Sequence, residues 1–336
     1  MLTRPCAPIA ETGPVDVEER RARRELRRRE RRRRRAGALA LLIAAIAAVA
    51  VAVAVASGGS SHGPARHRVS TTAGKGAARA RPAPGTAGTS AGPPGPPGRE
   101  AVPILMYHVI ASPPAGAPFP GLYVAPEEFA AQMQALKDAG WTAVTMDQVR
   151  ANWTRGTRLP AGKPIVLSFD NGYNSQYTQA LPVLRRLGWV GVENIQLSGL
   201  PPSQGGLGED QVRGLIAAGW ELDTQGFSHA DLIKLDPEQL HYQVAVARET
   251  LQHRFHVPVN WFCYPSGHYD DTVVSEVRAA GYLGSTTVVP GWAQPHGDPY
   301  RMPRLRVLGG TEPQALLSLL AGIRGDPPAP GSYSGA

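Results

Sequence analysis

The chain has 336 residues, 42% of them hydrophobic, and a formal net charge of +8. Residues 1–35 hold 13 Arg against 6 acids, leaving 22 basic and 21 acidic residues for everything that follows. The bulk is therefore nearly neutral, which excludes a basic nucleic-acid groove, and the length suits one large domain rather than two.

In chain order, residues 1–35 are a basic tail whose Arg run begins at Arg20. Residues 36–56 carry no charge and are long enough to cross a bilayer. An Arg cluster directly before such a span keeps the amino terminus in the cytoplasm. The competing reading is a signal peptide cleaved after Ala56, leaving a secreted protein. The long basic leader, and an apolar region exceeding the usual h-region of about 7–15 residues, favour an uncleaved membrane anchor. Both readings place the remainder outside the cytoplasm. Residues 57–100 are a Gly/Pro/Ser/Ala-rich segment with too few apolar side chains to bury, which predicts a disordered stalk. Cys6 and Cys263 fall on opposite sides of the membrane and cannot pair, so the fold stands without a disulfide.

From Val102 to about residue 323, strands and helices alternate. Val102–Tyr107 reads as a strand, and 126–139 as a helix with Phe129, Met133 and Leu136 at helical spacing. A short strand at 142–145 and a long apolar one from Ile165 follow. Next come a helix over 177–187, a strand over 189–195, a helix over 209–218 and a strand over 220–223. Asp236 caps a long helix with Pro237 at its first position. Strands at 260–263 and 282–286 flank a helix over 272–280, and a strand at 304–307 precedes a helix from Pro313. This order predicts βα units. Residues 324–336 are expected to be a disordered tail.

The stretch 165–173, Ile-Val-Leu-Ser-Phe-Asp-Asn-Gly-Tyr, is a buried strand that ends abruptly in a turn. In parallel α/β architectures chemistry collects at that end of the strands. Asp170 there is a candidate base or ligand, or else a simple cap of the next helix. Ser168 through Tyr173 resembles the first motif of the polysaccharide deacetylases, the NodB-like carbohydrate esterases, which reads Thr/Ser-Phe-Asp-Asp-Gly-Tyr. The opening Val102-Pro-Ile-Leu-Met-Tyr-His108 is also typical of that family, and the resemblance extends to about Leu320. It implies a distorted (β/α) barrel of about seven strands and a cell-envelope polysaccharide as the partner.

The same resemblance implies a divalent metal, usually zinc, held by the second Asp of the first motif and two His of a His-x-x-x-His motif. The first Asp, here Asp170, serves as base. In this sequence Asn171 stands for the second Asp, Gln225 for the first His, and only His229 is retained. That set has no carboxylate and one imidazole, so zinc binding is expected to be weak or absent. A third motif is represented by residues 262–267, Phe-Cys-Tyr-Pro-Ser-Gly, with Cys263 where many members carry an Arg that orients the base. Its turn either presents a backbone N–H to an acyl oxygen or is only a rigid turn after a strand. The family's late Leu-x-His is not visible around Val307-Leu308-Gly309. His108 ends the first strand and borders the expected cleft. Tyr173, Tyr264, Pro265 and Ser266 are candidate substrate contacts, with Trp292 the tryptophan placed for stacking on a sugar. Two readings follow: a glycan-binding protein with lost or much reduced deacetylase activity, or an active hydrolase removing N- or O-acetyl groups.

Overall fold

The computed structural model describes residues 95–198, 205–323 and 330–335. The basic tail, the apolar span 36–56 and nearly all of the stalk lie outside the described residues. Among the described residues no helix is long and apolar enough to cross a membrane.

The strands are β1 (Val102–Tyr107), β2 (Trp141–Ala143), β3 (Lys163–Asn171), β4 (Val192–Ile195), β5 (Glu221–Thr224), β6 (Trp261–Cys263), β7 (Gly284–Thr286), β8 (Trp292–Ala293) and β9 (Leu305–Arg306). They form one sheet whose main path runs β7-β6-β5-β4-β3-β1-β8, with β2 on β3 and β9 on β1. Every pairing between these strands is parallel except β1 with β8. A bridge from Thr286 to Met302 brings the end of β7 to the segment that leads into β9, and β9 lies on β1. The expected barrel is therefore a half-barrel of seven mixed strands whose two ends meet only through this short stretch.

Helices fill the connections: α1 (Pro126–Asp138), α2 (Met146–Arg155), α3 (Leu181–Leu187), α4 (Glu209–Ala217), α5 (Pro237–His241), α6 (Ala247–Phe255), α7 (Asp271–Ala279) and α8 (Pro313–Gly322). The Asp236 cap forms as expected, its Oδ1 accepting from the Gln239 N–H at 2.8 Å. The helix it starts runs on through a π turn at Tyr242–Val246 into α6. Helix α2 was not expected, because Val149 and Trp153 alone give it little apolar periodicity. Its ends carry the signal instead: Thr145 and Gln148 form a reciprocal capping box, and Gly156 closes it in the left-handed conformation. At the other end of the chain, Tyr333 pairs with Tyr269 through two 2.8 Å backbone hydrogen bonds. Residues 330–335 of the expected disordered tail are thus docked on the domain.

Strand alternation sorts β3 into two faces. Ile165, Leu167 and Phe169 face the helices, where Phe169 stacks on Trp220 at 4.8 Å and packs on Tyr107 and Phe129. Val166, Ser168 and Asp170 face inward. Val166 joins Val192, Trp261 and Met146 in a separate apolar cluster below Asp170. The register sets Asp170, Asn194 and Asp223 side by side across three neighbouring strands. Burial of the apolar layers on both sides fixes this register, since a slip of one residue would drive Asp170 into the aromatic layer.

Candidate functional site

Asp170 sits at the carboxyl end of β3 and is 1% exposed. A carboxylate so placed needs partners for both oxygens. Arg304 supplies two, with Nη1 donating to Oδ1 at 2.8 Å and Nη2 to Oδ2 at 2.9 Å. The Asn194 amide donates to Oδ1 at 2.9 Å, and the Cys263 thiol lies 3.5 Å from Oδ2. Arg304 is equally buried, and its remaining donors reach the Thr287 carbonyl, the Ser168 hydroxyl and the Cys263 sulfur. Burial alone would raise the Asp170 carboxyl, but the Arg304 charge and its hydrogen bonds, helped by His108 and Asn194, bring it down to about 2. Burial likewise pushes the Cys263 thiol up to about 12, so it is a neutral packing group.

The Arg that is absent from position 263 has a stand-in, because Asp170 does have a guanidinium partner. Its guanidinium arrives from Arg304, just ahead of β9 and 134 residues from Asp170 in sequence. The missed signal was complementary: a Cys where a guanidinium is expected should direct attention to the Arg residues near the last strand. Gln176 was also missed. Its amide donates to the carbonyls of His108 and Asp170, at 2.9 and 2.8 Å, tying the ends of β1 and β3 together.

Asn171, Gln225 and His229 line one pocket of about 360 Å³ beside Asp170. The structure so brings together the three residues matched to the metal ligands. Asn171, His229 and Ser266 all line it with positive φ, and they are three of the four non-glycine residues in that conformation among those described. Such strain concentrates at ligand sites. Gly172 follows Asn171 with φ +85°, and a Cβ there would meet Ile195 Cγ1 at 2.9 Å, so the turn demands glycine.

This donor set does not fit zinc. Asn171 and Gln225 offer only neutral amide groups, and the Gln225 oxygen already accepts the Asn171 N–H at 3.0 Å. Burial lowers the His229 imidazole below its usual value, with Asp170 pulling the other way, so it is a neutral single donor at pH 7. Among the described residues, no group of three or more His, Cys, Asp or Glu is placed to hold a metal ion.

The remaining expectations divide. Tyr173, Tyr264 and Ser266 line the pocket. The Tyr264 hydroxyl is turned away, donating to the Tyr300 carbonyl at 2.9 Å. Within the turn, the N–H groups of Tyr264, Gly267 and His268 all donate to carbonyls, which favours the rigid-turn reading for them. Pro265 is buried at the start of that turn and is not part of the pocket wall. Trp292 is a correction: it lies on β8 beside the start of β1, 6% exposed, with its ring edge-on to Trp141 at 5.8 Å. It is core at the opposite end of the strands, because the loop expected there folds back as an antiparallel strand. The aromatic on the pocket rim is instead Phe119, 67% exposed. His108 does border the pocket, and burial lowers its imidazole to about 4 against the pull of Asp170.

The sequence profile of the polysaccharide deacetylases matches residues 158–284. The putative polysaccharide deacetylase YxkH of Bacillus subtilis (strain 168) is 28% identical over 209 residues, spanning 62% of this chain and 72% of the relative. Among solved structures, the Streptococcus pyogenes deacetylase PplD in complex with acetate superposes with a TM-score of 0.61 at 25% identity, over 66% of this chain and 99% of that one. BC0361, a polysaccharide deacetylase from Bacillus cereus, gives a TM-score of 0.59 at 26% identity, over 66% and 69% of the two chains.

Proposed function

Because the chain belongs to the polysaccharide deacetylase family, we propose that it uses the family's pocket to bind a cell-envelope glycan while its metal-dependent deacetylation is lost or much reduced. The observation that carries this reading is the donor set beside Asp170. Asp170 keeps the guanidinium partner that the resemblance gives to a base, so the buried Asp170–Arg304 pair favours neither reading. The three positions matched to metal ligands offer one imidazole and two carboxamides, one of which is already engaged. A glycan-binding role needs neither a free base nor a metal. It needs a concave wall with a ring platform and polar groups, which Phe119, Tyr173 and Asn171 provide.

The location belongs to the same proposal. The uncharged span 36–56 behind its Arg run would anchor the protein in the cell membrane, with residues from about 101 onward facing the envelope. A carboxyl-terminal reporter active only in the cytoplasm should be silent, and a bright one would overturn this placement.

A second reading, an active hydrolase releasing N- or O-acetyl groups, draws support from the retained Asp170 and His229 in one pocket and from the likeness to a deacetylase solved with acetate. Acetate release from chito-oligosaccharides and from an O-acetylated glycan, measured with the purified full-length protein, separates the two. The proposal expects saturable glycan binding and no release above background. Turnover that is abolished by a chelator would establish the hydrolase instead.

A further inference from the structure

Resting on the glycan-binding reading, we propose that the pocket selects a sugar unit bearing a carboxylate, held by Arg306 with Phe119 as the ring platform. The argument begins with the pocket's charge. Its wall contains one acid, Asp170, and two guanidiniums, Arg304 and Arg306. Asp170 and Arg304 cancel in their buried pair. Arg306 is left with an uncompensated positive charge, exposed on the wall and without an ion-pair partner among the described residues.

The backbone fixes where that charge stands. Arg306 pairs with Met106 in the β9–β1 register, two residues beyond Arg304 on the same inward face. Its proximity is felt at His108, where it and Arg304 both disfavour the imidazolium. A neutral imidazole and a fixed guanidinium then line one wall, and an anionic group is the ligand that restores neutrality. A planar guanidinium matches a carboxylate in two-point geometry. Phe119, exposed on the rim of the same pocket, supplies the apolar face against which a pyranose ring rests. A site built around a divalent cation would need acids at this place. The present wall has the reverse polarity, which is why an acidic rather than a neutral sugar follows from it.

The test is binding of trigalacturonate by the full-length protein, compared with its methyl ester and with chitotriose of the same length. Measurement at about 0.15 M salt screens the charge of the Arg run within residues 1–35, and that run is unchanged in every variant. The wild type is expected to bind the trigalacturonate about tenfold tighter than the ester, the size of one charge-assisted contact. Arg306→Ala should collapse that preference to within about twofold while leaving the melting temperature unchanged, and Arg306→Lys should retain part of it. Phe119→Ala should weaken ester and acid alike. If chitotriose or the ester binds as well as the acid, the charge selection is wrong while glycan binding stands. If no sugar binds, the glycan-binding reading itself fails. An acidic preference that survives Arg306→Ala, or equal binding of a short polyglutamate, also overturns the proposal.

Discussion

The two halves of the pocket are centred on neighbouring residues, Asp170 and Asn171, yet they differ in how their polar groups are satisfied. On the Asp170 side both carboxylate oxygens are hydrogen-bonded, and the Asp170–Arg304 charges are sealed below the surface. On the Asn171 side the groups are neutral, with Asn171 and His229 half-buried and Gln225 buried, and a single hydrogen bond joins Gln225 to the Asn171 backbone. The difference teaches that neighbouring residues of one pocket can carry very different structural weight. A buried carboxylate held by a guanidinium is part of the framework, so its removal should be read in stability whatever it does to turnover.

The largest expected effect breaks the sealed side. Arg304→Leu leaves Asp170 buried without its counter-charge and should destabilise the domain by about 3–5 kcal/mol. A chemical denaturation midpoint close to that of the wild type would show that the network is not structural. Asp170→Asn should also destabilise strongly, and combining it with Arg304→Leu should cost less than the two losses added, because each single change strands the other charge.

Acid titration comes next. The Asp170 carboxyl is held near 2 in the folded protein, below its ordinary value of 3.8, so the unfolded chain binds its proton first. The stability it contributes, about 2 kcal/mol, is present above pH 4 and is lost as pH falls toward 2. At the amino-terminal end of the strands the sign reverses. Glu221 accepts the N–H groups of Met146 and Asp147 at the start of α2. Burial, with repulsion among Asp147, Glu221 and Asp223, raises the carboxyls of Glu221 and Asp223. These groups keep protons in the folded state that the unfolded chain releases near its ordinary 4.5, so stability should decline as pH rises from there toward about 7. Thermal melts across pH 2–8 should therefore peak in the mildly acidic range. A profile flat below pH 4 would contradict the Asp170 assignment.

The smallest effects belong to the neutral side. Gln225→Ala removes the acceptor of one backbone N–H and should cost about 1 kcal/mol. His229→Ala, with no side-chain partner to strand, should cost about 0.5 kcal/mol or less. If these exceed the Arg304 variant in denaturation, the two halves have been assigned the wrong way round.

Much of this was legible in the sequence because it is written locally. The β3 run from Ile165 announces a strand buried on both faces, and Asp-Asn-Gly announces its end. The pocket's Asn171, Gln225 and His229 follow from motif register. What was not legible depends on distant pairing. Arg304 meets Asp170 only because β9 lies on β1, a neighbourhood that no local pattern encodes. Trp292 was misplaced because a tryptophan in a Gly/Pro-rich loop looks exposed until that loop pairs with β1. Helix α2 was hidden because its identity lies in the caps at Thr145, Gln148 and Gly156 rather than in apolar spacing.

The most direct test of the central claim is zinc stoichiometry, with acetate release measured beside it, for the wild type, Asn171→Asp, Gln225→His and the double variant. Asn171 already holds a left-handed backbone that Asp tolerates, so the carboxylate can be restored without remaking the turn. The account predicts substoichiometric zinc in the wild type, little change in either single variant, and near-stoichiometric zinc in the double, because a tetrahedral site needs three protein ligands. Stoichiometric zinc with turnover in the wild type would contradict it outright.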